Sequence, residues 1–138
     1  MDNDMIIVAT NVKATRKITV DGIMMCNMTT AKCSASANAA ITVKSTFVEL
    51  DTQAGGGSSS LSWIYLDQRF GDVTPDGTLV RITGKTGVTA INCNEAGNMI
   101  MDGFIIIDIK PTTVINFIWV SSQAKWVWCS GDDTCCIC

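Results

Sequence analysis

"NCNEAGNMIMDGFIIIDIKPTTVINFIWVSSQAKWVWCSG", residues 92–131, decides the fold class. Its apolar residues come in short runs of Ile, Val, Phe and Trp, bounded by Gly, Asn, Asp, Ser and Pro, and not at the three-to-four spacing of an amphipathic helix. The end of the stretch reads as a hairpin: a strand over 113–120, the turn "SSQAK", and a second strand over 125–129. Alternation then puts Phe117 and Trp119 on one face of the first strand, and Trp126 and Trp128 on one face of the second. Cross-strand aromatics of this kind contribute about 0.2–1 kcal/mol per pair. These four side chains are the expected apolar anchors of the fold.

Outward from the hairpin the same grammar continues. Strands are expected over 5–9, 17–20 and 23–25 (across Asp21-Gly22), 40–50, 61–66, 78–83, 88–93, 98–101 and 104–109. Many short strands with no helix between them predict an all-β chain, an antiparallel β-sandwich or barrel. In "TPDGT", Pro75 presets the first central position of a turn and Gly77 supplies a positive φ. "TGKTG" (83–87) is read as a hairpin turn, and "MDG" turns the chain again at Gly103. "AGGGSSS" (54–60) has linker composition and is read as a loose hairpin loop, because "STFVEL" before it and "LSWIYL" after it are strands of similar length. Residues 1–40, richer in Met, Asn and Ala, form an extended N-terminal arm; 41–131 form the β domain; 132–138 are a Cys-rich tail.

Composition narrows the function classes. A chain of 138 residues supports one domain, and 47% apolar against 17% charged residues is high for a soluble monomer of that size. Some of that apolar surface is expected to meet another chain. The net charge is −3 and the basic cluster is confined to Lys13, Arg16 and Lys17, which argues against nucleic acid as a partner. Apolar runs are broken well short of the ~20 residues a membrane helix needs, and the acidic start "MDND" does not resemble a secretory leader.

Chemistry is excluded as firmly. The chain has no His, so Ser-His-Asp and Cys-His catalysis and His-ligated zinc are not available to it. "GKTG" lacks the earlier glycine of a P-loop, since Leu79 stands in that position. No enzyme and no cofactor are expected. The seven cysteines are an odd number, read as reduced thiols. Cys129, Cys135, Cys136 and Cys138 in "CSGDDTCCIC" are weak candidates for a zinc or iron–sulfur site, because adjacent Cys135 and Cys136 do not fit paired clips. Interchain bridging or free thiols are the other readings. Trp63, Tyr65 and Trp126 are candidate stacking surfaces for a glycan.

The order "DGTLVRITGKTGVTAINC" (76–93) followed by "GNMIMDGFIIIDIKPTTVINFIWVSSQAKWVWCSG" (97–131) resembles the β-rich modules of tailed-bacteriophage virion appendage proteins, of the tail-fibre, head-fibre and capsid decoration type. The likeness lies in the Gly77-Thr78 turn entering a strand, the strand pair over 80–93, the turn over 100–103, the strand over 104–111, and a final hairpin closing on Lys125-Trp126. It covers about residues 41–131; "KPTTV" before the last hairpin and the cysteine tail depart from the pattern. What the resemblance implies is a non-enzymatic structural component of a virion, made in the host cytoplasm. It also implies a homo-oligomer, a trimer, docked to other virion proteins such as capsid or fibre subunits. A host-surface carbohydrate-binding module and a small metal-stabilised Cys-tail protein are the competing expectations.

Overall fold

The computed structural model describes residues 6–34, 36–52, 59–86, 89–92, 97–101 and 106–129. The β-branched runs become strands. In chain order these are β1 (Met28–Cys33), β2 (Ala39–Val43), β3 (Phe47–Thr52), β4 (Ser59–Leu66), β5 (Leu79–Thr86), β6 (Thr89–Asn92), β7 (Met99–Ile100), β8 (Ile106–Ile109), β9 (Val114–Val120) and β10 (Lys125–Cys129). Gln68–Phe70 form a 3-10 turn, started by the Asp67 carboxylate accepting from the Arg69 N–H. The chain is all-β among the described residues.

The expected antiparallel sandwich or barrel is not what forms. One sheet has the order β1-β3-β5-β9-β10-β7 and the other β2-β4-β6-β8. Within them β1, β3 and β5 run parallel, and so do β2, β4 and β6. The chain therefore alternates between sheets, laying one two-strand rung on the last as a solenoid does. The pairings expected across "AGGGSSS" and "TGKTG" are corrected accordingly. β3 and β4 lie in different sheets, as do β5 and β6, so neither pair is a hairpin. The expected strand over 40–50 is likewise two strands, β2 and β3, on opposite sides of that core.

The third rung is the last to run forward. β8 pairs antiparallel with β6, β9 antiparallel with β5, and β10 antiparallel with β9, so the C-terminal third closes this end with reversed strands. Only here does the expected hairpin geometry hold. Its turn is tied by Gln123 N–H to the Val120 carbonyl and Ala124 N–H to the Ser121 carbonyl, with Ala124 at φ 51°.

The core lies between the sheets, and solenoid register stacks like residues on one another. Ile41 sits beside Ile64 and Val43 beside Leu66 in one sheet; Val48, Ile82 and Ile115 form a row in the other. At the start of the coil the inward residues are small, Ala31, Cys33 and Ala39, and β1 and β2 close on each other there. Apolar side chains are thus covered at that end, while the outer backbone edges of β1 and β2 have no strand partner among the described residues.

Candidate functional site

Three features are built by this scaffold. The first is the aromatic closure. Register places Trp126 opposite Trp119 and Trp128 opposite Phe117, so all four share the inward face. Phe117 and Trp126 are fully buried, and Trp119 and Trp128 pack partly buried against the core. Trp119 meets Trp126 edge-to-face at 5.3 Å and 63°, the arrangement the ring quadrupoles favour. The Trp126 indole N–H donates to the Ile64 carbonyl at 3.0 Å, so burying this polar group leaves it satisfied. Trp126 thereby ties the closing strands to β4 in the other sheet, and is not available for stacking on a ligand.

The second is an aromatic pair on the outer face of β4, and it depends on a bulge. Ala39 pairs with Leu61 but Ala40 with Trp63, leaving Ser62 as the extra residue. One added residue inverts the alternation. Leu61 and Ile64 therefore both enter the core, while Trp63 and Tyr65 face outward beside the small side chains of Ala40 and Thr42. Their rings lie parallel, centroids 5.9 Å apart and 8° between planes, with Trp63 half-buried and Tyr65 48% exposed. A hollow of about 380 Å³ adjoins Tyr65, lined also by Trp119, Asp72, Thr74 and Ser121 among others.

The bulge is locked by residues to which the sequence assigned no role. The Asn98 side chain accepts from the Ile64 N–H at 2.9 Å and donates to the Ile64 carbonyl at 2.7 Å, bonding both backbone groups as a neighbouring strand would. The Asn98 N–H also donates to the Ser62 carbonyl at 3.1 Å. Gly97 permits this approach, because a Cβ there would lie 2.2 Å from the Ser62 oxygen. Lys125 Nζ donates to the Gly97 carbonyl. The signal was present as a Gly-Asn dipeptide before a strand, but nothing in it names Ile64 as partner.

The third is the N-terminal segment. Residues 6–27 carry no strand, so the strands expected over 17–20 and 23–25, and over 5–9 as far as residue 6 onward, do not form here. Without sheet pairing their apolar side chains stay in solvent: Ile18 is 63% exposed, Val20 46%, Ile23 87% and Met25 90%. Asn11 nevertheless reaches an open groove of about 790 Å³ beside the end of β2, with Val43, Lys44, Arg69, Phe70 and Thr78. Arg69 donates to the Lys44 carbonyl at 3.0 Å and lies over the Phe70 ring at 5.1 Å, bracing that wall. Residues 28–33 of the expected arm are β1, paired with β3.

The other expected positions are quickly placed. Gly77 has φ 83°, its N–H donates to the Trp119 carbonyl at 2.9 Å, and Asp76 accepts from the Ser121 N–H at 2.9 Å, so this turn latches onto β9. Cys129 is buried at the end of β10. Cys135, Cys136, Cys138 and Gly103 lie outside the described residues. Among the described residues no three His, Cys, Asp or Glu side chains gather into a metal-binding group.

No family model matches the sequence, and no curated protein matches it. The chain is similar to one solved structure, described as "Structure of a chaperone-substrate complex", at 17% identity and a TM-score of 0.37, over 65% of this chain and 14% of that one. Likeness at that level carries no argument about function.

Proposed function

We propose that this protein is a non-enzymatic structural component of a bacteriophage virion, a fibre, decoration or cement protein that acts by oligomerising and docking to the particle. The observation that carries the reading is the N-terminal segment, which holds most of the exposed large apolar side chains among the described residues. A concentration of exposed large apolar side chains supports an interaction site. Residues 6–20 also carry Lys13, Arg16 and Lys17 without a carboxylate, on a chain of net charge −3, so the segment is attracted to the net acidic remainder of a neighbouring copy. The virion setting and the trimer rest on the sequence resemblance. Light scattering on the purified chain tests the reading: a concentration-dependent oligomer supports it, and a monomer at all concentrations overturns it.

A second reading has its own observation. The parallel Trp63–Tyr65 pair beside a small polar-rimmed hollow is a platform on which a sugar ring stacks, which supports a carbohydrate-binding module. Quenching of Trp fluorescence by oligosaccharides, lost in Tyr65→Ala, would favour it; silence across a glycan panel removes it.

A further inference from the structure

We infer that residues 17–20 of one copy add as a strand to the free edge of β2 in a second copy, extending its smaller sheet by one strand. The inference rests on the oligomeric reading above and names the surface that receives the arm. The triplet Ile-Thr-Val occurs twice in the chain, at 18–20 in the arm and at 41–43 in β2. In β2 its two apolar residues are buried inward and Thr42 faces out. That sheet already stacks like on like in parallel, Ile41 beside Ile64 and Val43 beside Leu66. A parallel strand in the same register places Ile18 beside Ile41 and Val20 beside Val43, continuing both rows.

The receiving edge is unprotected. Edge strands ordinarily carry charge or proline to discourage pairing. β2, "AAITV", carries neither, and its outer backbone groups have no strand partner among the described residues. The donor has no strand partner and leaves Ile18 63% and Val20 46% exposed among the described residues. Among the described residues its own chain leaves this edge open while Asn11 rests at the groove by the end of β2, and residues 6–27 can span about 70 Å when extended, which is reach enough for a neighbour. A heterologous contact of this type, arm to edge, closes into a ring when the rotation permits, so it accommodates the trimer expected from sequence.

Two single variants decide it. Thr19→Cys and Thr42→Cys, both in a Cys26→Ser background, are prepared separately, mixed and oxidised, and peptides are mapped by mass spectrometry. Residues 19 and 42 would be outward-facing neighbours on adjacent strands, within disulfide reach. The expected result is a bridge between residue 19 of one copy and residue 42 of the other, which mixing separate variants makes necessarily intermolecular. Ile18→Asp is expected to weaken the oligomer by at least about tenfold, with the fold unchanged because the side chain is exposed in the single chain. An oligomer without the 19–42 bridge overturns this inference and leaves the functional reading standing. In a third variant carrying both Thr19→Cys and Thr42→Cys, a bridge that forms inside single molecules and is missing from the mixture of single variants assigns the arm to its own edge and overturns it too. A monomer with no bridge overturns both.

Discussion

Asn98 holds both backbone groups of Ile64 with one side-chain amide, at 2.9 Å from the N–H and 2.7 Å from the carbonyl. The amide bonds to Ile64 as a neighbouring strand would, and it fixes the bulged segment whose outer face carries Trp63 and Tyr65. Asn98→Ala leaves the Ile64 N–H without that acceptor, while the Ile64 carbonyl keeps its bond from Trp126. The expected cost is about 1–3 kcal/mol, read as a lower urea midpoint. Asn98→Asp is expected to be no better, because it turns a carboxylate oxygen toward the Ile64 carbonyl.

Glycine substitutions should rank by what a Cβ meets. Gly97→Ala drives a methyl into the Ser62 carbonyl and Gly84→Ala into the Lys110 backbone at 2.8 Å, both backbone obstacles that cannot rotate away. Gly77→Ala meets open space and strains only its φ of 83°. Urea denaturation is expected to give about 1–2 kcal/mol for Gly77→Ala. Gly97→Ala should lose the most, and an inverted order between Gly97 and Gly77 would count against the close approach described.

The bulge itself can be removed. Deleting Ser62 joins Leu61 directly to Trp63, so strict alternation along β4 keeps Leu61 and Ile64 inward and Trp63 and Tyr65 outward in the register already held with β2. Cooperative unfolding by circular dichroism is expected to survive the deletion at a lower midpoint, because the Asn98 N–H loses the Ser62 carbonyl. Ser62→Ala keeps the backbone count and should unfold cooperatively.

Within the closing hairpin, Phe117→Ala empties a fully buried site and is expected to cost about 3–5 kcal/mol. Trp128→Ala, opposite it but only partly buried, should cost clearly less by the same measurement.

The hairpin of β9 and β10 was legible because its pairing is local: a turn of strong sequence signal joins two strands that then bond to each other. The rungs were not legible for the opposite reason. Alternation in "AAITV" or "FVELDT" says which side chains face a core, but both a parallel coil and an antiparallel sandwich satisfy it, and a Gly-Ser-rich connection serves a crossing between sheets as well as a reversal. β1 was missed because "MTTAKC" offers only small inward residues, Ala31 and Cys33, whose use is to let two sheets converge. The bulge at Ser62 hid for a related reason, since in "LSWIYL" four apolar and aromatic residues run together after Ser62 and the pattern does not say which of them face inward. The Trp63–Tyr65 pair was foreseeable from its residue types, whereas the Gly97–Asn98 lock was not, because its partner lies more than thirty positions away in sequence.

The most direct measurement is hydrogen–deuterium exchange on the full chain, comparing dilute and concentrated protein. The amides of residues 17–20 are expected to exchange at open-chain rates when dilute and to become protected when concentrated, as a neighbour's edge takes them up. Equally fast exchange of this segment at both concentrations would contradict the claim that copies of the chain cover it.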